Sequence, residues 1–148
     1  MVLGGYWSSY WYDGRIYATE IVRGLDVFEL VASEHLSENE IAAARLGDQG
    51  AVFNPQQQFP VTWPDHPSVA LAYLDQLNRG DVLAEDTAQG LSDALGQVEG
   101  AEGDTAGELA DTLAQMASDL PESGEDAITT SRLAALRGTL SGIADGLR

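Results

Sequence analysis

The spacing of apolar and polar positions changes along this chain, and each change predicts a different element. From Tyr6 to Leu30 the pattern is that of strands. Tyr6-Trp7-Ser8-Ser9-Tyr10-Trp11-Tyr12 and Arg15-Ile16-Tyr17-Ala18-Thr19-Glu20-Ile21 are rich in aromatic and β-branched residues, and they flank Asp13-Gly14. That dipeptide suits a two-residue type I′ turn, which needs positive φ at both central positions. A third run, Gly24-Leu25-Asp26-Val27-Phe28-Glu29-Leu30, completes a predicted antiparallel meander.

Uninterrupted pairing outward from the turn sets Tyr12 opposite Arg15, Trp11 opposite Ile16, Tyr10 opposite Tyr17, Ser9 opposite Ala18, Ser8 opposite Thr19, Trp7 opposite Glu20 and Tyr6 opposite Ile21. Cross-strand partners share a face. One face therefore carries Trp7, Trp11, Ile16 and the small Ser9–Ala18 pair, and the other carries Tyr6, Tyr10, Tyr12, Tyr17 and Ile21. In the third run Leu25 and Val27 point one way, Phe28 and Leu30 the other. Neither face is polar, so the sheet needs cover on both sides, as in a propeller blade stacked between two neighbours or the middle of a layered fold.

The stretch Gly4 to Tyr12, continued through Ile21-Val22-Arg23-Gly24-Leu25-Asp26-Val27-Phe28-Glu29-Leu30, resembles the last blade of LVIVD-repeat proteins, whose repeats end in a Gly-Leu-x-Val/Ile-x-Asp strand. Here Glu29 stands at the usual Asp position, and the Ser-Asp-Pro that opens a following repeat is absent. The similarity continues through Ser33-Glu34-His35-Leu36-Ser37-Glu38-Asn39-Glu40-Ile41 and fades after Arg79. It implies a β-propeller-like, exported protein, located outside the cell or at its surface. The implied partners are upstream propeller blades of the same protein or a second copy of the chain. No catalytic residue comes with the resemblance.

After the strands the period lengthens. Ser37-Glu38-Asn39-Glu40 is a capping box, with Ser37 as N-cap, Glu40 at N3 and Leu36 and Ile41 as the staple, and Gly47 marks the stop. Asn54-Pro55-Gln56-Gln57-Gln58-Phe59-Pro60-Val61-Thr62-Trp63-Pro64 reads as an extended strap pinned by Phe53, Phe59 and Trp63. Four amphipathic helices follow. The first spans about 66–79 with Asp65 as cap; the second spans about 85–98 through Ala88, Leu91, Leu95 and Val98. The third, capped by Asp104, carries Ala106, Leu109, Ala110, Leu113, Met116 and Leu120. The fourth, capped by Ser123, carries Ile128, Leu133, Leu136, Leu140, Ile143 and Leu147. The predicted fold class is α+β: a β-meander (1–32), a capped helix and Pro-rich strap (33–64) and an acidic four-helix module (65–148). By its pattern this module is similar to the FIMAH-type helical modules at the ends of secreted proteins.

Composition sharpens that division. All eleven aromatic residues lie at or before Tyr73. Residues 1–80 carry ten carboxylates against four arginines, a net of −6, whereas residues 81–148 carry fourteen against three, a net of −11. Such a field opposes binding to nucleic acid or anionic membranes. The chain has no Lys and no Cys, so disulfides, thiolate metal sites and a Cys nucleophile are excluded. No apolar run approaches membrane-spanning length.

Chemistry-bearing motifs are sparse. His35 and His66 lack metal-ligand spacing, and no GxSxG, P-loop or dinucleotide fingerprint occurs. Glu99, Glu102 and Asp104 lie in a Gly-spaced acidic loop without the 1-3-5 spacing or the position-12 Glu of a calcium loop, which favours a solvated turn. Asp13 and Glu20 beside aromatics suggest a glycan cleft, with packing the commoner cause. The expectation is a non-enzymatic scaffold or interaction segment with no cofactor and no metal. Its candidate contact residues are Tyr6, Trp7, Tyr10, Trp11, Tyr17, Phe59 and Trp63. The alternative is a fragment of a propeller enzyme, or of a glycan- or calcium-binding protein, whose active groups lie on other blades.

Overall fold

The computed structural model describes residues 4–48 and 60–148. The fold is α+β: a three-stranded antiparallel sheet precedes five α-helices. The chain forms two compact units, Met1–Trp63 and Pro64–Arg148.

In the first unit, β1 (Tyr6–Tyr12), β2 (Arg15–Glu20) and β3 (Gly24–Phe28) form a sheet of order β1-β2-β3. Asp13 and Gly14 hold φ of 47° and 74°, the left-handed pair that a type I′ turn demands. The helix α1 (Glu38–Arg45) starts at the predicted capping box: Ser37 Oγ accepts from Glu40 N–H at 3.1 Å, and the Glu40 carboxylate accepts from Ser37 N–H at 2.8 Å. Gly47 follows the end of α1 but is not among the glycines at positive φ. Its reason is close approach instead. A Cβ there would meet Val61 Cγ1 at 3.0 Å and the Trp63 indole nitrogen at 3.4 Å, where the strap returns over the helix end. Reciprocal backbone hydrogen bonds between Asp48 and Thr62, 2.8 and 3.1 Å long, fix that return. Phe53 and Phe59 lie outside the described residues.

The second unit contains α2 (Pro67–Asn78), α3 (Glu85–Leu95), α4 (Gly103–Asp119) and α5 (Ala127–Leu147). Packing runs around a ring, α2 on α3, α3 on α4, α4 on α5 and α5 on α2. The core is built from Leu74, Leu77, Leu91, Leu95, Leu113, Leu133, Leu136 and Leu140, with alanines such as Ala70, Ala110 and Ala117 at close approaches. Three capping expectations are corrected. His66, not Asp65, caps α2, because its Nδ1 accepts from Ser68 N–H at 3.1 Å, which places the ring proton on Nε2. Glu102, not Asp104, occupies the N-cap of α4, where Thr105 Oγ1 accepts from Glu102 N–H at 3.3 Å. Asp126, not Ser123, caps α5, accepting from Thr129 N–H at 2.7 Å. Val98 also falls outside α3, in a 3-10 turn, Val98–Gly100, yet still packs on the core.

The cap at His66 gives a direct expectation. His66→Ala should cost about 1 kcal/mol, and His66→Ser should retain most of it, because a hydroxyl oxygen accepts the same N–H. Chemical denaturation followed by helix circular dichroism distinguishes the two.

Candidate functional site

Register decides what each face of the sheet presents. From Tyr12 to Ser8 the β1–β2 pairing is the predicted one, but it then slips: Tyr6, not Trp7, sits opposite Glu20, with an irregularity between Tyr6 and Ser8. Trp7 is the extra residue of a β-bulge. The insertion reverses the alternation before it, because one added residue carries every earlier side chain to the opposite face. Tyr6 thus joins Ala18, Glu20 and Phe28 rather than Tyr10 and Tyr17. The predicted partners Trp7–Glu20 and Tyr6–Ile21 do not form; Ile21 N–H instead donates to Gly5 O at 3.0 Å.

On the face that Tyr6 joins, its ring reaches toward β3. It meets Phe28 edge-on with centroids 5.6 Å apart, and its hydroxyl donates to Asp26 Oδ2 at 2.8 Å. Ala18 lies between those strands on the same face and is buried. A methyl group there leaves room for the aromatic side chain above it. The opposite face has three rows: Ser8–Thr19–Leu25, Tyr10–Tyr17–Val27 and Tyr12–Arg15 with Glu29 beyond β3. Arg15 and Glu29 pair at 3.1 Å. The middle row is uncharged and open, with Val27 51 % exposed and Tyr10 also exposed, and Leu25 in the row beside it is 60 % exposed. Trp7, at the bulge, is 76 % exposed.

The contact candidates are therefore divided. Tyr10 and Tyr17 are cross-strand partners on the open face, Tyr6 is on the other face with Trp11, Trp7 stands at the bulge, and Trp63 lies at the end of α1. The bulge carries no local sequence signal, since no glycine stands at it and Trp7, like Tyr6 before it, is an ordinary strand-forming aromatic.

The one buried carboxylate of the described residues belongs to Glu20, whose side chain is 5 % exposed. Its Oε1 accepts from Gly5 N–H at 3.1 Å, and its Oε2 accepts from Val22 N–H at 2.7 Å and Arg23 N–H at 2.5 Å. The Arg23 guanidinium bonds Asp26 at 2.6 Å. The N–H donors of Arg23, Gly5 and Val22, more than any cation, hold the Glu20 carboxyl below its ordinary value of 4.5. Asp26 is also lowered, chiefly by Arg23 and then by the Tyr6 hydroxyl. Asp13 and Glu20 occupy opposite ends of the β1–β2 hairpin. At ~3.3 Å per residue they are on the order of 20 Å apart, too far to act on one glycosidic bond.

In the second unit a cleft of about 600 Å³ lies between the end of α2 and the start of α5, over Leu77, Val82 and Pro121. Of its lining, Asp126 caps α5, and the Gly124 N–H donates to Thr130 Oγ1 at 3.1 Å. Glu99, Glu102 and Asp104 belong to the 3-10 turn and the start of α4. Among the described residues no group of three or more His, Asp or Glu converges as a metal-ligand set, and no helix is long and apolar enough to cross a membrane. No protein-family model, curated protein or solved structure matches this chain.

Proposed function

We propose that this chain is a non-enzymatic scaffold or interaction segment, the closing blade and helical appendage of an exported LVIVD-repeat-like protein. In this reading its sheet packs against upstream blades or a second copy. The observation that supports it is the open Tyr10–Tyr17–Val27 row with Leu25 beside it. Solvent-facing strand surfaces ordinarily carry polar side chains, and a contiguous apolar patch marks an interface. The row lacks any net charge, so a chain of net charge −17 meets least self-repulsion there.

Sedimentation velocity of the full chain across a concentration series tests the reading. The wild-type chain should self-associate, and Val27→Lys should return it toward monomer by placing an ammonium in the middle of the patch. Trp7→Ala should weaken association less, because Trp7 sits at the bulge rather than in the row. A wild-type chain that stays monomeric throughout, with dye binding to apolar surface unchanged by Val27→Lys, overturns the proposal.

A further inference from the structure

The Glu20 carboxylate closes one end of the sheet by itself. Gly5 precedes β1, while Val22 and Arg23 form the turn between β2 and β3, so one side chain of β2 ties its own strand to both neighbours. The tie requires an anion: an ionised carboxylate is acceptor-only, whereas a protonated one carries an O–H donor. With three N–H groups directed at the two oxygens, a neutral acid confronts a donor with donors and weakens a tie that is part-buried at each N–H.

We propose that Glu20 is a proton-operated latch: its protonation opens the sheet at the Ile21–Arg23 turn while the helical unit keeps its fold. The charged and titratable groups around it are Arg23 in the turn, 3.9 Å from Oε2, Asp26 on β3 and the Tyr6 hydroxyl on β1. Asp26 engages the same Arg23, so acid removes the tie of β3 to the turn together with that of β2. Because the folded carboxyls titrate below their unfolded values, their stabilisation is complete above the ordinary carboxylate range. It is lost as the pH falls through the lowered values.

The helical unit responds differently to acid. Residues 64–148 hold sixteen carboxylates against four arginines. Protonation relieves that repulsion. The Arg137 guanidinium donates to the carbonyls of Ala117, Leu120 and Pro121 at 3.3, 3.1 and 2.7 Å, a tie between α5 and the end of α4 that uses no carboxylate. The Asp126 carboxyl is held below its ordinary value, by the Thr129 N–H first, so acid removes that helix cap and leaves the leucine core in place.

The test uses the full chain. All three tryptophans, at 7, 11 and 63, lie in the first unit, so their emission reads the sheet unit while ellipticity at the helix minimum reads chiefly the second. On acidification the emission should shift in a transition below pH 4.5 with helix ellipticity retained. In the same range the amide resonances of Gly5, Val22 and Arg23 should move together with one midpoint. Glu20→Gln should show the acid form of those signals at neutral pH and lose the transition. Asp26→Asn should keep the transition, because Glu20 remains. Coincident loss of emission and ellipticity, or static Gly5, Val22 and Arg23 amides in the wild-type chain, overturns the latch even if Glu20→Gln cannot be purified. A transition abolished by Asp26→Asn but retained in Glu20→Gln overturns it as well.

Discussion

Leu136→Ala is expected to destabilise the helical unit by about 3 kcal/mol, the cost of removing a fully buried leucine whose surroundings relax only partly. Leu136 is inaccessible on α5 and shares one core with Leu133, Leu140 and Leu113. Since small domains are stable by only about 5–15 kcal/mol, a loss of this size is a large part of the whole. Urea denaturation followed by helix ellipticity measures it, with the midpoint moving and the slope unchanged. Ile128→Ala is the internal contrast. The sequence pattern sets Ile128 on the same stripe, but it is 64 % exposed, and its removal should change stability by no more than about 0.5 kcal/mol. Equal losses from the two variants would mean that α5 presents another face to the core.

Replacing Gly107 and Gly138 together by Ala should stabilise the same unit by about 2 kcal/mol. Both lie within helices, α4 and α5, and a Cβ at either position meets nothing within 4 Å. Each exchange therefore recovers about the 1 kcal/mol by which Gly lags Ala in a helix, and the two lie on different helices, which favours additivity. Gly124→Ala should do the reverse. A Cβ there would overlap the Cγ2 of Thr129 and approach its Cβ to 2.7 Å, so the loop before α5 must move, at a cost of about 1–3 kcal/mol. A double variant no more stable than the parent, or a harmless Gly124→Ala, would contradict this account. Gly96 lies inside the second helix as its sequence pattern draws it, over about 85–98, but it is the C-cap of α3 and carries no such penalty.

Asp13-Gly14 predicted its turn because few residues tolerate the positive φ that the turn requires, and Ser37 with Glu40 predicted its cap because both hydrogen bonds span only three residues. Local geometry carries such signals. The caps Asp126, His66 and Glu102 are not distinguished by sequence from Ser123, Asp65 and Asp104, because in each case the rival polar residues stand within three positions of one another. Only the direction in which the chain arrives at the helix selects one of them.

What the sequence determined by itself was every element whose signal is periodic or short-range: three strands, the hairpin turn, the capped helix and the four helices with their leucine stripes. Tertiary structure alone decided the bulge at Trp7, which moves Tyr6 to the other face, and the exposure of Ile128 at the start of α5. It also decided the role of Arg137, which joins the end of α4 from seventeen residues beyond Leu120. The buried Glu20 belongs with them. As a sequence feature it is one acid among twenty-four, and it becomes the tie of the sheet only when the distant Gly5 brings its N–H group to the carboxylate that already accepts from Val22 and Arg23 in the adjacent turn. The physical reason is that hydrophobic period is repeated at many positions and survives local variation. A hydrogen bond between two strands, such as that from Gly5 to Glu20, is specified once, by residues that no local pattern connects.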